Sequence, residues 1–104
     1  MSRPLTITIP HSLGRAAARK RIEDGIAQLR GTYAGQFTAL EENWTEDRLD
    51  FRLSALKQTV SGTVEIADSA VTVSVVLPIF LAMLAEKVKT VVQQRGQAML
   101  EHKN

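Results

Sequence analysis

The sequence predicts an α+β domain: an antiparallel β-sheet in the order β-α-β-β-β-β-α, with two helices packed on one face. Three observations carry this. Apolar residues alternate with polar ones along several short stretches, as in strands with one wet face. Two longer segments repeat apolar residues at three- and four-residue steps, as amphipathic helices do. The central strands are separated by short polar turns, which join antiparallel neighbours.

The first strand is LTITI, Leu5–Ile9, which alternates apolar and hydroxyl residues. Pro10 ends it, because proline has no N–H for the ladder. Ser12 then stands where a helix N-cap belongs, its hydroxyl oxygen an acceptor for a free N–H of the first turn. The helix runs to about Tyr33 on a stripe of Ala18, Ile22, Ile26, Leu29 and Tyr33, with Lys20, Arg21 and Asp24 off it. Gly31 and Gly35 bracket its exit.

Four more strands follow. Gln36–Trp44 is the least regular, since Phe37, Leu40 and Trp44 do not all share a face. A hairpin turn at Thr45–Asp47 leads to the next strand, where Leu49, Phe51 and Leu53 oppose Asp50, Arg52 and Ser54. Val60, Gly62, Val64 and Ile66 then share a face, as do Val71, Val73, Val75 and Leu77, with a turn at Ala67–Ser69 between. The second helix starts around Pro78, a residue favoured in a first turn. Its expected inward stripe is Phe80, Leu81, Leu84, Val88, Val91, Val92 and Met99. Gly96 weakens the last turns, so residues 94–104 are expected to fray as a tail of the single 1–104 domain. The uncovered sheet face should show Thr6, Thr8, Arg52, Thr63 and Thr72, a surface typical of a one-sided antiparallel sheet.

Composition narrows the function classes. The 104 residues are 44% hydrophobic and 23% charged, which suits one folded core. There is no cysteine, so disulfides, thiolate metal sites and cysteine nucleophiles are all excluded. No N-terminal stretch has the pattern of an export signal, and a cytoplasmic protein is expected. The longest apolar run, Val75–Ala85, is far short of the roughly 20 residues of a membrane span and contains Pro78. Charge is uneven. Residues 11–35 hold five basic and two acidic side chains, whereas residues 36–78 hold three and seven.

Catalysis finds little support. His11 and Ser12 are adjacent, and neighbours at a strand-to-helix turn project in different directions, unlike a nucleophile and its base. No GxSxG elbow or Gly-rich phosphate loop is present. The two histidines, His11 and His102, are far apart and offer no metal-ligand spacing. No catalytic residue, metal or cofactor is therefore assigned. Glu41–Glu42 and Glu46–Asp47 read as solvated charges flanking an exposed hairpin. The basic-patch candidates are Arg15, Arg19, Lys20 and Arg21. They are not confined to one helical face, and with aromatics at 5% no nucleic acid is expected as a partner. Ile79 and Met83, four apart and off the inward stripe, form with Phe80 a candidate apolar docking surface.

Several segments taken in order resemble one family. They are HSLG (His11–Gly14) after an alternating strand, the Ala/Arg-rich helix, YAGQF (Tyr33–Phe37), Trp44 followed by LDF (Leu49–Phe51), and SGTVEI (Ser61–Ile66) before a valine strand and an apolar helix. Together, over about residues 5–92, they resemble the polyhydroxyalkanoic acid system proteins, also called the polyhydroxyalkanoate granule-region family. The resemblance implies a cytoplasmic, non-enzymatic bacterial protein without a cofactor, peripheral to storage granules. Its partner would be the polyhydroxyalkanoate granule surface or a granule-associated protein. It also implies a structural His11 at a recurring strand-to-helix corner. A second reading is a small carrier holding an apolar or acyl ligand between sheet and C-terminal helix. A homodimer, through the hydroxyl-rich face or a sheet edge, stays open.

Overall fold

The computed structural model describes residues 4–32, 35, 39–55, 58–78 and 82–101. The order of elements is β1 (Leu5–Pro10), α1 (Arg15–Thr32), β2 (Ala39–Thr45), β3 (Arg48–Ala55), β4 (Gln58–Ile66), β5 (Ala70–Val76) and α2 (Ala85–Glu101). The five strands form one antiparallel sheet in the spatial order β1-β5-β4-β3-β2. Strands β2 to β5 are a meander of neighbours. Strand β1 adds to the far side of β5, so α1 carries the chain from one edge of the sheet to the other.

Register aligns the alternating patterns into rows across the sheet. Ile7, Val73, Val64, Leu49 and Trp44 form one inward row, and Ile9, Val71 and Ile66 another. A one-residue slip on any strand would turn its whole apolar set to water, which is why the register is well specified. The opposite face carries Thr8, Thr72, Glu65 and Arg48 in one row, and Thr6, Ser74, Thr63, Asp50 and Asn43 in the next. Arg52 lies in the row beyond, opposite Ser61 and Glu41.

The core lies between the inward face and the two helices. Ile7, Ile9, Leu49, Val64, Ile66 and Val71 meet Ala18 and Ile22 of α1 and Leu100 of α2. Fully burying one such aliphatic side chain is worth about 1.5–3 kcal/mol. Helix α2 packs on β1 and crosses α1. Gly96 is buried because the Ile9 side chain occupies the place a Cβ would take, which lets α2 sit close on β1.

Three expectations for the helices need correction. Pro78 does not begin α2. A helical hydrogen bond does follow the proline, since Ala82 is helical and its N–H donates to the Pro78 carbonyl at 2.9 Å, but Met83 and Leu84 interrupt it as a turn and the long helix starts at Ala85. Leu84 and Val91 are not on the inward stripe and stand 46% and 47% exposed. The inward stripe is narrower: Val88, Val92 and Met99 are half-buried and Gly96 and Leu100 buried, where the last turns of α2 lie against Ile9 of β1. Residues 94–101 continue the helix instead of fraying, and Leu100 is 2% exposed. In α1, Ala18 and Ile22 are buried and Ile26 and Leu29 half-buried, as the periodicity predicts; Tyr33 lies outside the described residues.

Strand β2 begins at Ala39, and Phe37 also lies outside the described residues. Leu40, Glu42 and Trp44 share its inward face, with Glu42 opposite Phe51. Glu42 is thus no solvated hairpin charge: it pairs with Arg30 of α1 and its side chain is only 20% exposed. An inward-pointing charge on an edge strand is a recognised protection against edge-to-edge association.

Candidate functional site

The chain leaves β1 and turns through His11–Gly14 into α1, and His11 fixes that corner with three hydrogen bonds. Its backbone N–H donates to the Ser69 carbonyl at 2.9 Å. Its Nε2 lies 3.1 Å from the Ala67 carbonyl, and the Leu13 N–H donates to Nδ1 at 3.1 Å. A neutral ring with hydrogen on Nε2 satisfies both side-chain bonds at once. The imidazole therefore ties the β1–α1 corner to the β4–β5 turn and has no lone pair left to activate a nucleophile.

Ser12 does not cap the helix. It stands three residues before Arg15 and is exposed, while Gly14 occupies the cap position, where its carbonyl accepts the Ala18 N–H at 3.0 Å. Gly14 has φ +83°, the left-handed region that glycine enters without a Cβ penalty. A cleft of about 640 Å³ opens beside this corner, with Ser12, Leu13, Arg21, Leu100 and Glu101 among its lining. Among the described residues no three His, Asp or Glu side chains converge as a metal site.

The four basic-patch candidates are drawn to different places. Arg15 lies 3.3 Å from Asp47 and 3.4 Å from Asp68, bridging the two hairpin tips. Arg19 pairs with Glu23 at 3.3 Å, donates to the Glu46 carbonyl and stacks 4.7 Å above the Trp44 ring. Lys20 pairs with Asp24 at 3.6 Å, and Arg21 donates to the Leu100 carbonyl at 3.3 Å. Such exposed pairs contribute about 0–1 kcal/mol each. Arg15 and Arg19 tie α1 to the hairpin tips and Arg21 ties it to α2, while Lys20 is paired within α1.

The β5–α2 junction differs in character. Leu77 is buried, and after it Met83 stands 83% exposed, beside Leu84 at the start of α2. Leu84 and Val91 are seven residues apart, almost two full helical turns, so they share one side of α2. Lys87, between them in sequence, is exposed. Met83, Leu84 and Val91 make an apolar ridge that the fold leaves in water, and exposed apolar clusters mark interaction surfaces. Of the sequence-based docking candidates, Met83 is on this ridge, while Ile79 and Phe80 lie outside the described residues. Leu84 and Val91 were missed because their three- and four-residue spacing from Val88 mimics a wider core stripe.

A model of the family described as "Putative polyhydroxyalkanoic acid system protein" matches residues 5–100. The chain belongs to that family. The match spans every element from β1 to the buried end of α2. The family name links the chain to the polyhydroxyalkanoate system. No curated protein and no solved structure matches the chain. In this polyhydroxyalkanoic acid system protein, three residues of HSLG have structural tasks: His11 pins the corner, Leu13 packs against the core, and Gly14 supplies the left-handed cap. Among the described residues, no helix is long and apolar enough to cross a membrane.

Proposed function

We propose that the chain is a non-enzymatic, cytoplasmic binding protein that docks on the surface of polyhydroxyalkanoate granules through the ridge of Met83, Leu84 and Val91. The observation that carries this reading is the exposure of three large apolar side chains, Met83 and Leu84 where α2 begins and Val91 about two turns along it, in a family named for the polyester system. A polyester surface offers apolar contact area, and each aliphatic side chain that becomes fully buried on it contributes about 1.5–3 kcal/mol. The non-enzymatic part rests on His11, whose ring nitrogens are both taken by the backbone. The alternative carrier reading gains no support at the C-terminal turns. There Ile9, Gly96 and Leu100 fill the space between sheet and helix.

Co-sedimentation with isolated granules, at low and high salt, tests the proposal. Binding should survive high salt, since apolar contacts are not screened. A Met83→Ser/Leu84→Ser/Val91→Ser variant should lose at least tenfold of it while unfolding at the parent's urea midpoint. Unchanged binding by that variant would remove the ridge from consideration, and binding lost in salt would shift the contact to charged side chains. Protein-free polyester particles separate a polymer surface from a granule protein or a second copy of the chain as the immediate partner.

A further inference from the structure

The chain has three methionines and no cysteine, so the thioethers carry all of its sulfur chemistry. Met83 and Met99 lie among the described residues, in opposite surroundings. Met99 is half-buried where α1 and α2 cross and packs against the core. It lies so close over Gly25 that a Cβ there would stand 2.5 Å from the Met99 Cγ and Sδ. Met83 sits in the turn before α2 and is 83% exposed, more than any other large hydrophobic side chain among the described residues. A small oxidant in solvent reaches it without any opening of the fold.

We infer that Met83 is a redox-modification site on the docking ridge: a hydroperoxide converts it to the sulfoxide, which releases the chain from the granule surface without unfolding it. The inference rests on the docking reading above. In the reaction a lone pair of the Met83 sulfur attacks one peroxide oxygen, and the O–O bond breaks as the S–O bond forms. The proton on the transferred oxygen passes to the departing hydroxide, which leaves as water. Sulfur loses two electrons and the peroxide gains them. The product is a polar, chiral side chain in place of an apolar one. Its new acceptor oxygen costs free energy to bury on an apolar surface that offers no donor. The fold keeps its packing, because Met83 is not among the residues of the core. No thiol of this chain competes for the oxidant, and methionine sulfoxide reductases, one for each epimer, restore the thioether.

Treatment of the full chain with hydrogen peroxide, followed by peptide mass spectrometry, reads the rate at each sulfur. Met83 should oxidise about tenfold faster than Met99 or more, and the two rates should converge in denaturant. The oxidised protein should keep the parent's urea midpoint and co-sediment with granules about fivefold more weakly or worse. Reductase treatment should restore the binding. Met83→Leu, close in volume and without sulfur, should bind as the parent does and be indifferent to peroxide. Three results would overturn the inference and leave the docking reading standing: equal rates at Met83 and Met99 in the folded chain, undiminished binding after oxidation, or a Met83→Leu variant that peroxide still releases. An untreated chain that ignores granules removes the docking reading and this regulation with it, however fast Met83 oxidises.

Discussion

The seat of α2 on β1 depends on an exchange of volume between Gly96 and Ile9 that a double-mutant cycle measures. A Cβ added at Gly96 would fall on the Ile9 Cδ1, well inside van der Waals contact, yet stay at an ordinary 3.7 Å from Cγ1. The conflict is with one terminal methyl, on a side chain only 2% exposed that has nowhere to swing. Gly96→Ala should thus cost about 1–3 kcal/mol in overpacking. It gains back about 1 kcal/mol, because glycine is a poor residue inside a helix. The net expectation is a loss of about 0–2 kcal/mol. Ile9→Val deletes the same methyl and should cost about 0.5–1.5 kcal/mol by leaving a void. Together the two changes move one buried methyl from the strand to the helix and keep the helix-propensity gain. The double variant should match the parent or exceed it by up to about 1 kcal/mol. Urea titrations followed by the fluorescence of Trp44, the single tryptophan, and by far-UV circular dichroism give all four stabilities. Additivity of the two single effects to within about 0.3–0.5 kcal/mol would refute the contact as the reason for glycine at this position.

Two further outcomes follow from the corner and the hairpin. His11→Ala leaves the Leu13 N–H and the Ala67 carbonyl without their protein partner and should cost about 1–2 kcal/mol, whereas Ser12→Ala should stay within about 0.5 kcal/mol of the parent. The contrast, read by urea midpoints, would fail if the serine proved the costlier loss. Glu46 holds φ +53° at the β2–β3 tip, and asparagine tolerates that region better, so Glu46→Asn should raise stability by about 0.5–1 kcal/mol. A lowered thermal midpoint in that variant would point to a role for the Glu46 carboxylate beyond the turn.

Much of the sheet was legible because period-two alternation is set locally: Leu49, Phe51 and Leu53, and Val60, Val64 and Ile66, each face the side their pattern names. Strand β2 was hard to read because Glu42 interrupts the apolar set of Leu40 and Trp44. Its partner, Arg30, arrives from another element, and no local pattern announces a tertiary ion pair. The same limit applies at the helix ends. Ser12 is a good cap by residue type, but the chain needed a left-handed residue there and Gly14 supplied it. Leu84 and Val91 have the spacing of core residues, yet they face water, because α2 packs on β1 through a different set of side chains. The apolar ridge comes from how α2 is laid down, so the candidate site was less visible than the fold.

The pairing of β1 with β5 also orders events in time. Pro10 pairs with Ala70, sixty positions later, while the other neighbours in the sheet are separated by only two or three residues of sequence. Loop-closure entropy favours the β2–β5 meander as the first structure, with β1 and the end of α2 closing the core last. During synthesis at about 5–20 residues per second, β1 waits roughly 3–13 s for β5 to be made. For that interval the nascent LTITI segment is an alternating strand without a partner, exposed to other chains or to chaperones. Mutations that weaken β5 would therefore act on yield before they act on the finished protein.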